Sequence, residues 1–178
     1  MLKNTPQAYG LISKLLHWSI ALALVGLFIL GLWMVDLGYY DSWYQKAPHY
    51  HKSLGIMVAT AMLLRLLWRA LTPQPQPLVS HRPWEIRLAK IAHILLYLLT
   101  FAIVISGYLI STADGRGIAI FNWFTIPALG SFIDNQEDVA GYFHYWLAVS
   151  LISLSSLHAL AAFKHHFFDK DRTLKRMI

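Results

Sequence analysis

Four long apolar stretches dominate the pattern of hydrophobic and polar positions along the chain. They cover residues 15–35, 50–69, 89–110 and 141–163, and none of them contains an acidic residue. A helix needs about 20 apolar residues to cross a hydrocarbon core of about 30 Å, so each stretch is long enough to span a bilayer once. We therefore predict an all-α integral membrane four-helix bundle that forms a single domain over residues 1–178.

The basic residues indicate how these helices are oriented. Of the 15 lysines and arginines, 12 lie in or beside the N-terminal segment, the connection after the second stretch and the C-terminal tail. The other two connections and their flanks contain only Lys46, Lys52 and Arg116, together with six of the 9 acidic residues. Because lysine and arginine accumulate on the cytoplasmic side of membrane proteins, both termini are predicted to be cytoplasmic.

Composition agrees with a membrane protein and excludes several cofactors. Hydrophobic residues make up 57% of the chain and charged residues 13%, and there is no cysteine. The chain can therefore form no disulfide, no thiolate-bound iron–sulfur cluster and no covalently attached c-type haem. The net charge of +6 lies around the ends of the apolar stretches, which favours membrane lipid over nucleic acid as the partner.

Two histidines of the fourth stretch, His144 and His158, are fourteen residues apart. Fourteen residues of helix rise about 21 Å and return to nearly the same helix face. In the predicted orientation His158 is level with His17 near the inner membrane face, and His144 is level with His51 near the outer face. Two histidine pairs at two depths predict two haem irons with both axial positions filled, which suits electron transfer rather than oxygen binding.

Other polar residues at these levels are candidates for the same sites. Arg65 lies fourteen residues after His51, and Lys52 lies beside it, so each is placed to meet a haem propionate. An arginine that extends to the membrane surface from a helix end is an equally good interpretation of Arg65. Lys52 could also meet an anionic substrate. His49 is a weaker ligand candidate than His51, because the helix is predicted to begin near Tyr50.

Three further histidines are candidates for exchanging a proton with a quinone. His165 and His166 follow the fourth stretch where the chain meets the cytoplasm. A solvated basic tail is the alternative interpretation of that segment. His93 begins the third stretch and could either support a haem or face a quinone.

Two weaker patterns concern the surroundings of the histidines. Four glycines in the apolar stretches would let a flat macrocycle approach the backbone, although small residues also serve ordinary helix packing: Gly26, Gly31, Gly55 and Gly107. The longest connection, 111–140, contains several aromatic residues and is expected to include a short amphipathic segment on the outer face.

Several sequence motifs extend over nearly the whole chain. They are His17-Trp18, His51-Lys52-Ser53-Leu54-Gly55-Ile56, Arg65-Leu66-Leu67-Trp68-Arg69, Ala92-His93-Ile94-Leu95-Leu96-Tyr97, the single His144 and His158, and His165-His166-Phe167. Together they resemble the bacterial cytochrome b561 family of four-helix di-haem cytochromes. The resemblance implies a multi-pass protein of the bacterial inner (cytoplasmic) membrane.

The resemblance also implies cofactors and partners. It implies two haem b groups, the inner one bound by His17 and His158 and the outer one by His51 and His144. It implies ubiquinone as the electron-transfer partner on the cytoplasmic side. Some members resemble superoxide:quinone oxidoreductases, so superoxide is an expected outer-face donor. Three basic residues on the predicted outer face would attract that anion: Lys46, Lys52 and Arg116.

Three functions follow as hypotheses. The first is an oxidoreductase that carries electrons from an outer-face donor, such as superoxide, to ubiquinone. The second is a haem-bearing membrane anchor subunit that relays electrons for a partner dehydrogenase or hydrogenase. The third is a non-redox carrier of divalent metal ions. A carrier would be expected to use acidic ligands within the membrane, and the apolar stretches contain none.

Overall fold

Four long helices form the protein in the computed structural model, which describes residues 1–178. They are α1 (Leu11–Met34), α2 (Lys46–Leu71), α3 (Pro83–Ser111) and α4 (Gln136–Phe167). All four are long and apolar enough to cross a membrane, so the predicted all-α membrane bundle is confirmed. Three helices extend beyond both ends of the apolar stretches that predicted them, and α1 begins four residues before its stretch and ends one residue before the end of it. Hydropathy marks only the hydrocarbon core, whereas the backbone hydrogen bonds continue into the head-group region.

The helices pack as two pairs. The closest neighbours are α1 with α2 and α3 with α4, while contact between α2 and α3 is smaller and that between α1 and α4 is smallest. Only 16 of the 178 residues are buried, so most apolar side chains face outward, where lipid takes the place of a protein core.

One small cluster forms the interior core of the bundle. Ile20, Val58 and Met62 are buried together, with Tyr97 and Phe101 of α3 packed against them. Ile20 follows His17 by three residues and Val58 follows His51 by seven, so this apolar cluster lies between the two histidine levels. It separates an inner polar region, at the end of the bundle that carries both termini, from an outer one.

The connection between α3 and α4 contains a β-hairpin. Strand β1 (Ile118–Ile120) pairs antiparallel with β2 (Phe124–Ile126), and Ile118 and Ile120 are 3% and 2% exposed. The amphipathic segment expected in this loop therefore has strand periodicity, because its alternate side chains are buried.

Ser53 of α2 joins the hairpin to the helix. This fully buried residue accepts a hydrogen bond from the Phe121 backbone N–H (3.1 Å), and its hydroxyl is 3.5 Å from the Ala119 carbonyl, which it reaches as donor. Since Ser53 lies two residues after His51, the hairpin is fixed directly beside the outer histidine level.

The inner end is held together by the two terminal segments. A single-turn 3₁₀ helix at Leu174–Arg176 follows α4, and the Arg176 guanidinium donates hydrogen bonds to the carbonyls of Gln7 (2.6 Å) and Gln76 (2.8 Å). The Trp18 indole N–H donates to the Met177 carbonyl at 2.9 Å. The N-terminal segment, the link before α3 and the C-terminal tail therefore form one layer.

Candidate functional site

The inner histidine level brings together side chains from three helices. The ring centroids of His17 on α1 and His158 on α4 are 6.4 Å apart. His93 on α3 is a third imidazole at this level, with its centroid 5.2 Å from that of His158. His93 thus lies beside the inner pair rather than with the histidines of the C-terminal tail.

The outer level contains a second pair. The ring centroids of His51 on α2 and His144 on α4 are 6.1 Å apart. A single helix, α4, therefore supplies one imidazole to each level. His49 is also helical, because α2 begins at Lys46 rather than near Tyr50, but its ring packs at 5.7 Å from Tyr50 and not against another histidine.

Both pairs have the separation expected of two imidazoles that bind one metal ion from opposite sides. Bonds of about 2 Å, with about 1 Å more from each nitrogen to its ring centre, put the centroids about 6 Å apart. The observed 6.4 Å and 6.1 Å match this value, whereas the 5.2 Å between His93 and His158 is too short for it. The residues present therefore fit a haem iron with two axial histidines at each level.

Hydrogen bonds fix the orientation of the His144 ring. Its Nδ1 lies 3.0 Å from both the Ile103 carbonyl and the Ser106 hydroxyl. An Nδ1–H that donates to the carbonyl leaves the Nε2 lone pair free to bind a metal. The Nδ1 of His51 is buried without any hydrogen-bond partner. A buried unsatisfied polar atom is uncommon in proteins and is often explained by a ligand or a cofactor.

Two glycines make room for the outer imidazoles. A Cβ atom on Gly31 would lie 3.2 Å from His51 Cε1, and one on Gly107 would lie 3.1 Å from His144 Cε1. Gly26 and Gly55 would meet nothing within 4 Å. Gly31 and Gly107 therefore make room for histidine rings. Only Gly26 and Gly55 remain candidates for the close approach of a macrocycle to the backbone.

Arg65 lies at the inner level without an acidic partner. Its Nε donates to the Tyr97 hydroxyl at 3.2 Å and its Nη1 to the Ser13 carbonyl at 3.3 Å. These two contacts hold the side chain between α1 and α3 instead of letting it extend to the membrane surface. A half-buried guanidinium that meets only neutral groups can accept an anion such as a propionate.

The three basic residues of the outer face differ in how they are engaged. Arg116 forms hydrogen bonds to the Asp114 carboxylate, which hold the pKa of that carboxyl below its usual range. Lys46 lies over the Trp43 ring, with its Nζ 5.8 Å from the ring centroid. Lys52 is half-buried beside His51 and, like the exposed Lys46, forms neither a salt bridge nor a side-chain hydrogen bond, so both lysine charges are available to an anion.

The tail histidines lie beyond the inner pair. His165 follows His158 by seven residues, about 10 Å along the helix. Its Nδ1 is 2.7 Å from Asp169 and 3.6 Å from Asp171, though not aligned for a hydrogen bond with either. The Nδ1 of His166 is buried without a partner, and its ring packs at 4.9 Å from that of Phe167.

Sequence reasoning missed His81, which lies in the link before α3. Its Nε2 is 2.8 Å from Asp171 Oδ2, and its ring centroid is 4.6 Å from that of His165. His81 and Asp171 are ninety residues apart, and no periodic pattern relates them. The sequence indicates only that both residues lie close to the inner ends of membrane-spanning helices, which does not predict that they meet.

Comparison with known proteins agrees with a membrane cytochrome. The family model described as prokaryotic cytochrome b561 matches residues 8–178. The chain is 53% identical to cytochrome b561 homolog 2 of Escherichia coli (strain K12) over 175 residues, which is 98% of this chain and 93% of that one. It is 31% identical to the "Probable superoxide oxidase CybB" of Yersinia pestis over 165 residues, 92% and 91% of the two chains.

A four-helix membrane bundle with paired intramembrane histidines defines a class, the membrane b-type cytochromes. Within that class, the chain belongs to the prokaryotic cytochrome b561 family. Membership confirms the resemblance, a role in membrane electron transfer and a location in the bacterial inner membrane as a multi-pass protein.

Proposed function

We propose that this cytochrome carries electrons from a donor at the outer membrane face to ubiquinone at the cytoplasmic face, through two haem b groups. The observation that carries the proposal is the pair of imidazoles at each of two depths, with separations of 6.4 Å and 6.1 Å. His17 and His158 would bind the inner group, and His51 and His144 the outer one. When bound, each haem supplies a centre for one-electron oxidation and reduction.

The protein residues orient the ligands and exclude competing chemistry. Two histidines at each level would hold a haem iron without leaving a position for oxygen, which would favour electron transfer over oxygenation. An Nδ1–H that donates to the Ile103 carbonyl would keep His144 in the tautomer whose Nε2 can bind iron. Arg65 would bind an inner propionate through the face of its guanidinium that Tyr97 and Ser13 leave free. The two histidines of α4 are about 21 Å apart along the helix, and bound haems would shorten the distance that electrons have to cross.

Superoxide is the proposed outer donor. The similarity to a relative named as a probable superoxide oxidase supports this choice. Lys52 supports it too, because it is a cation beside His51 that forms no salt bridge. The carboxylate of Asp114 pairs with Arg116 and also attracts Lys52 from a greater distance, so the attraction of the anion would depend on Lys52 together with the exposed Lys46.

Ubiquinone is the proposed acceptor at the inner end. Reduction to the quinol takes up two protons with two electrons, and a histidine at the membrane surface can supply and regain a proton near neutral pH. His165 and His166 are at the end of α4 that carries the tail, and His93 is beside the inner histidine pair. With both termini cytoplasmic, these protons would come from the cytoplasm.

The overall reaction can be tested with purified protein. Two superoxide anions and two protons would convert one ubiquinone to ubiquinol with release of two oxygen molecules. We expect ubiquinone-1 in detergent solution to be reduced at one quinol per two superoxide anions, and His17→Ala to abolish this. If dithionite reduces the cytochrome but superoxide forms no quinol, the proposed donor is wrong.

The anchor-subunit hypothesis predicts a different result. An anchor would accumulate in the membrane only when its partner dehydrogenase or hydrogenase is produced with it. We expect this chain to accumulate with haem when expressed alone and to reduce quinone without another subunit. Degradation of the chain in the absence of a co-purifying redox protein would favour the anchor.

A further inference from the structure

Two imidazoles and a carboxylate converge at the inner end, outside the haem-ligand pairs. They are His81 in the link before α3, His165 at the end of α4 and Asp171 in the tail, and their ligand atoms all lie within 4.8 Å of one another. Their side chains are 17%, 15% and 7% exposed, so this cluster is largely enclosed rather than a surface pairing.

Two of the three spacings bracket the value expected for ligands of a single ion. Asp171 Oδ2 is 2.8 Å from His81 Nε2 and 3.6 Å from His165 Nδ1. Ligands about 2.1 Å from a tetrahedral zinc ion are separated by about 3.4 Å, which lies between these two distances. The two imidazoles are also within 4.8 Å of each other, so all three side chains could reach one ion after they adjust around it.

Carboxylates surround the imidazole nitrogens of the cluster. His165 Nδ1 is 2.7 Å from Asp169 and 3.6 Å from Asp171, without the alignment of a hydrogen bond to either. Asp171 Oδ1 accepts a hydrogen bond from the Thr173 backbone N–H at 2.7 Å, which holds Oδ2 toward the two histidines. Burial opposes ionisation of Asp171, but the hydrogen bonds from Thr173 and His81 outweigh it and lower the pKa of this carboxyl, so the ligand is ready as an anion.

We propose that His81, His165 and Asp171 form a binding site for a divalent transition-metal ion, with Zn²⁺ as the ion that the ligand set fits best. Two imidazole nitrogens and one carboxylate oxygen are a common zinc ligand set that leaves a fourth position for water. Asp169 provides a second negative charge 2.7 Å from His165 Nδ1, and it also pairs with Lys164 at 2.6 Å. The ion would join the link before α3, the end of α4 and the C-terminal tail.

This inference does not rest on the proposed function, but it has a consequence for it. His165 is a candidate for proton exchange with quinone, and an imidazole nitrogen that binds zinc cannot bind a proton. Zinc at this site would therefore slow quinone reduction without displacing a haem.

The test is zinc binding to the haem-loaded protein without a histidine tag. After removal of metals with a chelator, isothermal titration calorimetry with Zn²⁺ is expected to show one site of micromolar affinity or tighter. His81→Gln and Asp171→Asn should each weaken binding at least tenfold, whereas His49→Gln, which removes a histidine at the other end of the bundle, should leave binding unchanged. The visible haem spectrum and the elution profile of each variant show whether it has folded.

X-ray absorption at the zinc edge identifies the ligands independently. We expect a first shell of nitrogen and oxygen at about 2.0–2.1 Å that includes two imidazoles. The proposal is overturned if folded wild-type protein binds no zinc. It is equally overturned if folded His81→Gln and Asp171→Asn bind zinc like the wild type, or if the shell contains no imidazole.

Discussion

The two histidine levels have similar ring separations but different surroundings. At the outer level, Gly31 and Gly107 pack against the imidazoles, and the Ile103 carbonyl orients His144. At the inner level, a third imidazole and the guanidinium of Arg65 lie around the pair. Packing is thus the more prominent feature around the outer pair and a half-buried guanidinium the more prominent one around the inner pair, so the two proposed haems would be tuned by different means.

The largest expected effect comes from filling the space behind an outer ligand. In Gly107→Val the new Cβ would lie 3.1 Å from His144 Cε1 and its methyl groups would displace the ring. We expect loss of the outer haem with retention of the inner one, measured as haem per chain. Gly141→Ala is the control, because a Cβ there meets nothing within 4 Å. Full haem content in Gly107→Val would show that packing does not shape the outer site.

Removal of the inner cation should change a potential instead. A positive charge stabilises the reduced haem, so Arg65→Gln is expected to lower the inner midpoint potential by about 50 mV. Redox titration of the visible spectrum measures this shift. Lys52→Gln should leave the inner potential unchanged. Equal shifts of both midpoint potentials in Arg65→Gln would show that Arg65 does not act selectively on the inner haem.

The outer cation should affect the rate of reaction with an anion. We expect Lys52→Gln to slow reduction by superoxide about threefold at low ionic strength and much less at high ionic strength, since salt screens the attraction. Stopped-flow absorbance measures the rate. Arg116→Gln should have a smaller effect because Asp114 already pairs with that charge. A larger effect of Arg116→Gln would contradict the assignment to Lys52.

The smallest expected effect concerns the hydrogen bonds of His144. Ser106→Ala removes one oxygen near Nδ1 and leaves the Ile103 carbonyl in place. A weaker acceptor makes the imidazole a poorer donor to iron, so the outer potential should rise by on the order of 20 mV. Redox titration would again detect it. A shift of the inner potential alone would show that the two levels have been assigned to the wrong haems.

Much of the architecture could be predicted because its signals are local. Hydropathy identifies each helix, and the fourteen residues between His144 and His158 place two imidazoles on one face of α4. The roles of these histidines as ligands remain predictions. The hairpin could not be predicted in this way. Its three-residue strands depend on the burial of Ile118 and Ile120 and on the hydrogen bond from Phe121 to Ser53, which lies sixty-eight residues earlier in the chain.

The cluster of His81, His165 and Asp171 could not be predicted either, because it also depends on contacts between residues far apart in the sequence. His81 meets His165 and Asp171 only because the link before α3 and the C-terminal tail fold into one layer. Contacts between irregular segments have no sequence period to reveal them. The contacts of Gly31 and Gly107 with histidine rings could not be predicted, because the sequence does not distinguish a glycine that makes room for a side chain from one that lets two helices pack closely.

The most direct test of the central claim is the haem content of ligand variants, measured as the pyridine haemochrome of purified protein. The account predicts two b-type haems per wild-type chain, loss of the outer one alone in His51→Ala, loss of the inner one alone in His17→Ala, and no loss in His49→Ala. A colourless protein, a single haem, or a haem content unaffected by either ligand change would contradict it.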